Sequence, residues 1–229
     1  MFAIVIPTLN ASATLPALLK DCQGYDIIVS DGLSSDITVS QAIAAGAQIS
    51  LGQKSRGGQL ARGVDWAFKT SPHEWVLVLH ADCRLSAGWQ TVVQRHIEHH
   101  ASKIGYFTFG ANAKGWQARF MEFVVRLRDI WPKLPYGDQG LLISKTQYLS
   151  VGGYPDQVLF EDVEIIRRLK SKYGRKVLRR MPLRLVSDVS AYVRDGFANR
   201  TRRNTKLLLA YNRGESVEAL LTEYKRSTK

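Results

Sequence analysis

Strand-sized apolar runs recur at regular intervals through the first eighty residues, and helical patterns fill the gaps between them. Ala3–Pro7 (AIVIP), Asp26–Ser30 (DIIVS), Gln48–Leu51 and Trp75–His80 (WVLVLH) read as strands. Leu15, Leu18 and Leu19 fall on one helical face, with Ser12 or Thr14 as cap and Pro16 in the first turn. A small-residue helix over Ile37–Ala45 ends at Gly46, and Gln59–Lys69 is helical again. Strands and helices alternating at this spacing make βαβ units, hence an α/β fold with a mainly parallel sheet flanked by helices. WVLVLH is apolar enough to be buried on both faces, as a central parallel strand requires.

The second half follows a different rhythm. Ile104–Asn112 reads as a strand and Trp116–Trp131 as an amphipathic helix bearing Phe120, Phe123, Val124 and Leu127, stopped by Pro132. A punctuated stretch over 134–140 (LPYGDQG) leads into a short strand, Leu141–Ser144. Gly152-Gly153-Tyr154-Pro155 is turn chemistry, and Asp162–Tyr173 is a helix. The tail reads as one or two short strands followed by helices. No repeat or flexible linker divides the chain. It is expected to be one domain over 1–229, with a ligand-binding half (1–100), a second half (101–175) and a basic segment (176–229).

With 45% hydrophobic and 23% charged residues, the 229-residue chain has enough apolar material for a core, which excludes intrinsic disorder. The two cysteines, Cys22 and Cys83, have no metal-type spacing and imply no disulfide framework, so a reducing cytoplasmic compartment is expected. The opening run is too short for a secretory leader, and no segment approaches the ~20 apolar residues of a membrane span. The net charge of +12 is uneven: −1 over residues 1–100, +4 over 101–174 and +9 over 175–229. That asymmetry suits an anionic partner, or else a solvated basic face with no partner. The basic residues alternate with Leu207, Leu208, Leu209, Tyr211, Leu220 and Leu221, an amphipathic helical pattern.

Parallel sheets bind ligands at the carboxyl ends of their strands. This places Thr8-Leu9-Asn10, Asp31-Gly32 and His80-Ala81-Asp82 at a cleft. Asp31 can accept from a base N–H or a ribose hydroxyl; the competing reading is a helix cap by Ser34, Ser35 or Asp36. The two are compatible if Asp36 caps and Asp31 points to the cleft. Asp82 suits a divalent cation bridging a diphosphate, or else a turn. An extended chain would put His80 and Asp82 on the same side. Residues 54–59 (KSRGGQ) form a basic loop opening a helix, able to meet phosphates but without the spacing of a phosphate loop. Glu161-Asp162 opens a helix, where the macrodipole favours the anion. The pair is either a general base that stays charged at neutral pH or a plain cap. His96, His99 and His100 fall on what reads as an exposed helix end. No nucleophile elbow or RNA-binding signature is present.

In register, these segments resemble family 2 glycosyltransferases of the GT-A fold, a Rossmann-like nucleotide-diphospho-sugar transferase architecture. Residues 4–10 (IVIPTLN) resemble the family opening, 31–36 (DGLSSD) its DGGSTD segment, His80-Ala81-Asp82 its DxD-type motif and Glu161-Asp162 its ED motif. Leu79–Leu85 (LHADCRL), Leu134–Gly140 (LPYGDQG) and Gly152–Leu169 further resemble the radical-SAM/selenodomain-associated transferase subgroup. The resemblance covers about residues 3–173 and implies an inverting sugar transfer from a UDP- or GDP-sugar to an acceptor hydroxyl or phosphate. It implies that Pro7, Thr8, Asn10, Asp31, Gly32, Arg56, Gln59, His80, Ala81 and Asp82 hold the nucleotide-sugar. It further implies Mg²⁺ or Mn²⁺ at Asp82, Asp162 as base beside Glu161, and Asp138 and Gln139 near the sugar or acceptor.

Three departures stand out. Leu33 replaces the second Gly of DGGS, His80 replaces the first Asp of DxD, and no His follows His100 to serve as a C-terminal metal ligand. Two other readings compete: a nucleotidyltransferase on a related fold, and a basic membrane- or RNA-binding module with a decayed site. The Glu161-Asp162 pair argues against the first. Carboxylates retained around one cleft argue against the second, and against nucleic acid as a partner. A basic C-terminus on an anionic membrane would make the enzyme peripheral at the inner face, with an acceptor of unknown identity.

Overall fold

The structure, a computed structural model, describes residues 1–70 and 72–226. Its first part is built from β1 (Ala3–Thr8), α1 (Leu15–Asp21), β2 (Ile27–Asp31), α2 (Thr38–Ala44), β3 (Gln48–Leu51), α3 (Arg56–Thr70) and β4 (Trp75–Val78). Then come β5 (Cys83–Leu85), α4 (Trp89–His99), β6 (Ile104–Ala111), α5 (Trp116–Ile130), a 3₁₀ turn (Gly137–Gln139), β7 (Leu141–Ser144) and α6 (Lys145–Leu149). The chain finishes with α7 (Glu161–Tyr173), β8 (Leu178–Ser187), α8 (Ser190–Asp195), α9 (Phe197–Asn212) and α10 (Val217–Arg226).

One sheet runs in the order β3-β2-β1-β4-β7-β6-β8-β5. Strands β1 to β4 pair in parallel, as the βαβ pattern demands. The other half is mixed: β6 and β8 pair in parallel. β7 is antiparallel to both β4 and β6, and β5 is antiparallel to β8. The geometry explains β7. It starts from a tight turn at the carboxyl end of β4, where Val78 pairs with Leu141, so it can only run back down the sheet.

Strand alternation feeds two cores. Ile4, Ile6, Leu77 and Leu79 face α1 and α4 with Leu15, Leu18 and Trp89. Ala3, Val5, Val76 and Val78 face α3 and α7 with Leu60, Val64, Ile165 and Leu169. Both faces of these strands are therefore buried, in line with their unbroken apolar sequence. A smaller cluster under α5 joins Phe109, Ala118, Val125 and Val189.

The tail holds one ten-residue strand where one or two short ones were expected. Pro182 lies inside β8, and the β6–β8 ladder shifts register between Tyr106 and Thr108, which accommodates the missing N–H. The N-cap residue of α2 is Ile37, which makes no side-chain cap bond; Asp36, expected as the cap, stands one residue earlier, its Oδ1 accepting from the Thr38 N–H at 3.0 Å. His96 departs from expectation. It is buried in α4, one ring nitrogen 3.0 Å from the Lys103 carbonyl oxygen.

Candidate active site

The carboxyl ends of β1 and β2 carry the first group of expected site residues. Thr8 Oγ1 and Ser34 Oγ both donate to Asp31 Oδ2 at 2.6 Å, and the Ser34 N–H donates to Oδ1 at 2.7 Å. Asp31 has no exposed surface. Its carboxylate therefore organises the loop from within and does not point to the cleft. Small neighbours and three donors close around it, something the strand-end position alone did not reveal. Gln59 is likewise interior: its Nε2 donates to the Thr8 carbonyl at 2.6 Å and ties α3 to β1 beside Gly32. Asn10 takes a positive φ of 49° and accepts from the Ser35 N–H at 2.9 Å. Leu33, at the position where the family pattern has Gly, adopts φ 64° and is 61% exposed. A leucine there costs roughly 1–2 kcal/mol.

His80 and Asp82 part company. The chain turns at Ala81-Asp82, with the Cys83 N–H donating to the His80 carbonyl at 3.2 Å, so the extended-chain argument fails. His80 turns inward while Asp82 stays on the open side. The packed protein around Asp82 still raises its carboxyl above the ordinary range, Arg56 opposes this, and Asp188 adds to it.

A second group converges from four separate segments. Arg56 Nε lies 2.8 Å from Glu161 Oε1, and its Nη2 lies 2.9 Å from the His80 ring nitrogens. His80 Nε2 is 3.7 Å from Asp162 Oδ2, which accepts from the Gly137 N–H at 3.0 Å. Gly137 was not singled out by sequence reasoning, yet a Cβ there would overlap both His80 and Asp162. Its signal was the Tyr-Gly-Asp run after two prolines. Phe160, just before the pair, adopts a left-handed φ of 63°, and no side chain caps α7. Asp162 accepts from a backbone N–H outside its own helix, while the Glu161 carboxylate keeps a backbone hydrogen bond at the helix start.

The electrostatics also correct an expectation. The helix N-terminus, worth about 0.3–1 kcal/mol, was expected to keep Asp162 charged. Burial and the neighbouring Glu161 outweigh it: they push Asp162 up to about 7 against the pull of Arg56 and the Gly137 N–H. Burial raises Glu161, with Arg56 opposing. Burial and Arg56 hold His80 well below its ordinary value, so its imidazole is neutral at pH 7.

A cavity of about 950 Å³ opens from this group. Arg56, His80, Asp138 and Asp162 form its polar end; Phe120 and Val124 of α5, with Leu159 and Leu208, supply apolar wall. Burial raises Asp138 despite Arg128, and its Oδ1 has no hydrogen-bond partner. Gln139 does not join it. It has no exposed surface, and it bonds Asp129 at 3.0 Å and Arg128 at 2.9 Å behind the site. The neighbouring Arg128 and Tyr136 were also missed; the guanidinium lies 3.7 Å over the Tyr136 ring.

The chain is similar to several solved structures. A mycobacterial protein shares 17% identity at TM-score 0.60, over 82% of this chain and 66% of that one. Glucosyl-3-phosphoglycerate synthase from Mycobacterium tuberculosis, solved with Mn²⁺, uridine diphosphate and glucosyl-3-phosphoglycerate, shares 15% at 0.61, over 82% and 70%. TarS of S. aureus shares 15% at 0.59, over 82% of this chain and 37% of that one. These likenesses establish a GT-A-like fold. No curated protein matches the chain. The family model described as glycosyl transferase family 2 matches residues 3–151, which contain both strand-end loops, Arg56, His80 and Gly137. The chain belongs to glycosyl transferase family 2.

Proposed function

We propose that the protein transfers a sugar, with inversion, from a UDP- or GDP-sugar to an acceptor hydroxyl or phosphate. Its motifs over 79–85, 134–140 and 152–169 align this activity with the radical-SAM/selenodomain-associated subgroup. The observation that carries the reading is Asp162, a carboxylate at the cavity's polar end, held by the Gly137 N–H and titrating at about 7. A base works best when its affinity for protons lies near the operating pH. With a hydroxyl acceptor, the proton passes to Asp162 and the acceptor oxygen bonds the anomeric carbon. The bond from that carbon to the diphosphate oxygen breaks, its electron pair leaving with the diphosphate. Glu161 positions Arg56, whose guanidinium supplies positive charge beside the reacting groups.

Mg²⁺ or Mn²⁺ would be held by Asp82. Among the described residues no group of three His, Cys, Asp or Glu side chains could hold a metal ion. One open carboxylate, completed by diphosphate oxygens and water, is an ordinary environment for such an ion. The residues therefore fit a cation that arrives with the donor. When bound, it would neutralise charge on the leaving diphosphate. The nucleotide loops over Pro7–Asn10 and Asp31–Ser35, Asp31 acting from beneath, would frame the base and ribose.

Melting the protein with UDP, GDP and CTP, each with and without Mn²⁺, tests this. A ligand at a hundredfold excess over Kd stabilises by about 2.7 kcal/mol. The expected result is a Mn²⁺-dependent shift with UDP or GDP that Asp82→Ala abolishes. A preference for CTP would sink the reading in favour of nucleotidyl transfer.

The basic C-terminus supports membrane contact by the tail less fully than its net charge suggests. Arg200 lies 2.5 Å and Arg203 3.7 Å from Asp195, and Lys206 lies 2.7 Å from Glu223. These pairs take up three of the fourteen basic residues over 175–229.

A further inference from the structure

Helix α5 carries an apolar stripe that the fold leaves uncovered. Trp116, Phe120, Phe123, Leu127 and Ile130 follow helical spacing on one face, Trp131 follows the helix end, and all six are 47–74% exposed. Contiguous apolar surface of this kind marks an interaction site. The charge at its far end says what kind. Arg175 lies 4.1 Å over the Trp131 ring, Lys170 Nζ donates to the Pro132 carbonyl at 2.9 Å, and Lys133 follows directly. None of these three cations forms an ion pair among the described residues. Burial and then Arg175 lower both lysines, as unbalanced positive charge should. The near end of the stripe runs into the cavity: Trp116 and Phe120 line it and lead toward Asp162. A second copy could cover the stripe, but it would bring another +12 of net charge.

We propose that α5 lies in the surface of an anionic bilayer and that the cavity takes an amphipathic acceptor from it. The stripe sits at the boundary of headgroups and acyl chains, with tryptophan at both ends and cations at one. The acceptor's apolar body lies along α5, and its hydroxyl or phosphate head reaches Asp162. The acceptor class rests on the glycosyl-transfer reading; the docking of α5 does not. No helix among the described residues is long and apolar enough to cross a membrane, so the contact is one of lying on the surface.

The test is flotation of the full chain with phosphatidylcholine vesicles, with and without phosphatidylglycerol. Donor hydrolysis is measured alongside. One variant replaces Phe123, Leu127, Ile130 and Trp131 by Ser, all outside the cavity lining. A second, Lys133→Glu with Arg175→Glu, keeps the stripe and reverses the charge. The wild type should float with anionic vesicles and release at about 1 M salt. Each variant should lose partitioning by about tenfold or more while donor hydrolysis is unchanged. Failure of the wild type to float, with hydrolysis intact, overturns the docking and leaves the glycosyl-transfer reading standing. Flotation that survives both variants overturns it too. A wild-type dimer that the Ser variant splits, with neither protein floating, assigns the stripe to a second copy and overturns it as well. Flotation without any donor hydrolysis supports the docking and removes the acceptor class.

Discussion

As the proposed base, Asp162 would concentrate the chemistry of the site in one carboxyl group. A base acts only when deprotonated, so kcat/KM should climb with pH and level off above about 7. Asp162→Asn should lower kcat by about 10²–10⁴-fold while the UDP- or GDP-induced melting shift persists. The same group makes a stability statement of opposite sign. Its folded affinity for protons exceeds the unfolded one, so its stabilising share is full below the ordinary value of 3.8 and is lost as pH rises through about 7. Asp162→Asn should therefore melt above the wild type at pH 8, and that gain should shrink toward pH 4. A wild-type activity profile flat from pH 5 to 9 would refute the assignment. The acidic pair was legible in the sequence as a helix opening, but its proton affinity was not. The groups that bury it come from the starts of α3 and α7, the end of β4 and the turn before β7. Asp31 shows the same blind spot, since a strand end gives position but not the three donors that turn a carboxylate inward.

At the scale of elements, the first turn of α3 fixes the segment that delivers α7. The Gly57 N–H donates to the Gln157 carbonyl at 2.9 Å, and Ser55 Oγ donates to Asp156 at 2.8 Å. A Cβ at Gly57 would overlap the carbonyl oxygens of Pro155 and Gln157. Gly57→Ala should lower stability by about 1–3 kcal/mol and lower kcat as well, because the displaced segment carries Asp162 with it. Calorimetry and steady-state rates on one preparation check both. The parallel strands and their helices were readable because each has its own period and its own punctuation. Strand β5, three residues at the sheet edge, and helix α6, five residues, are too short to carry a period. Strand β8 was disguised by Pro182, which reads as a break until a register shift is seen to absorb it. Helix α5 was legible as amphipathic, and the apolar residues that made it so, Phe120, Phe123, Val124 and Leu127, are exposed.

Taken whole, the molecule joins a parallel half that carries the loops after β1 and β2 to a mixed half that carries most of the cavity wall, with Arg56 and His80 at the seam. The sequence shows the first half because its order is local. The second half depends on strands that pair out of sequence order, and periodicity is blind to that. Both cysteines lie in the core cluster shared by α1, α4 and the sheet, with Ile4, Leu18 and Trp89. Burial and Asp21 push the Cys22 thiol up to about 12, and burial pushes Cys83 well above its ordinary value. Thiolate is the form that alkylating reagents attack, so the native chain should be inert to them near neutral pH. Pulsed alkylation followed by mass spectrometry should then label both positions at one common rate, that of opening the whole cluster. A faster rate at Cys83 would mean that the β5 edge peels away first. The chain thus carries two internal clocks for its own unfolding, one on a helix end and one on an edge strand, readable by mass without an added dye.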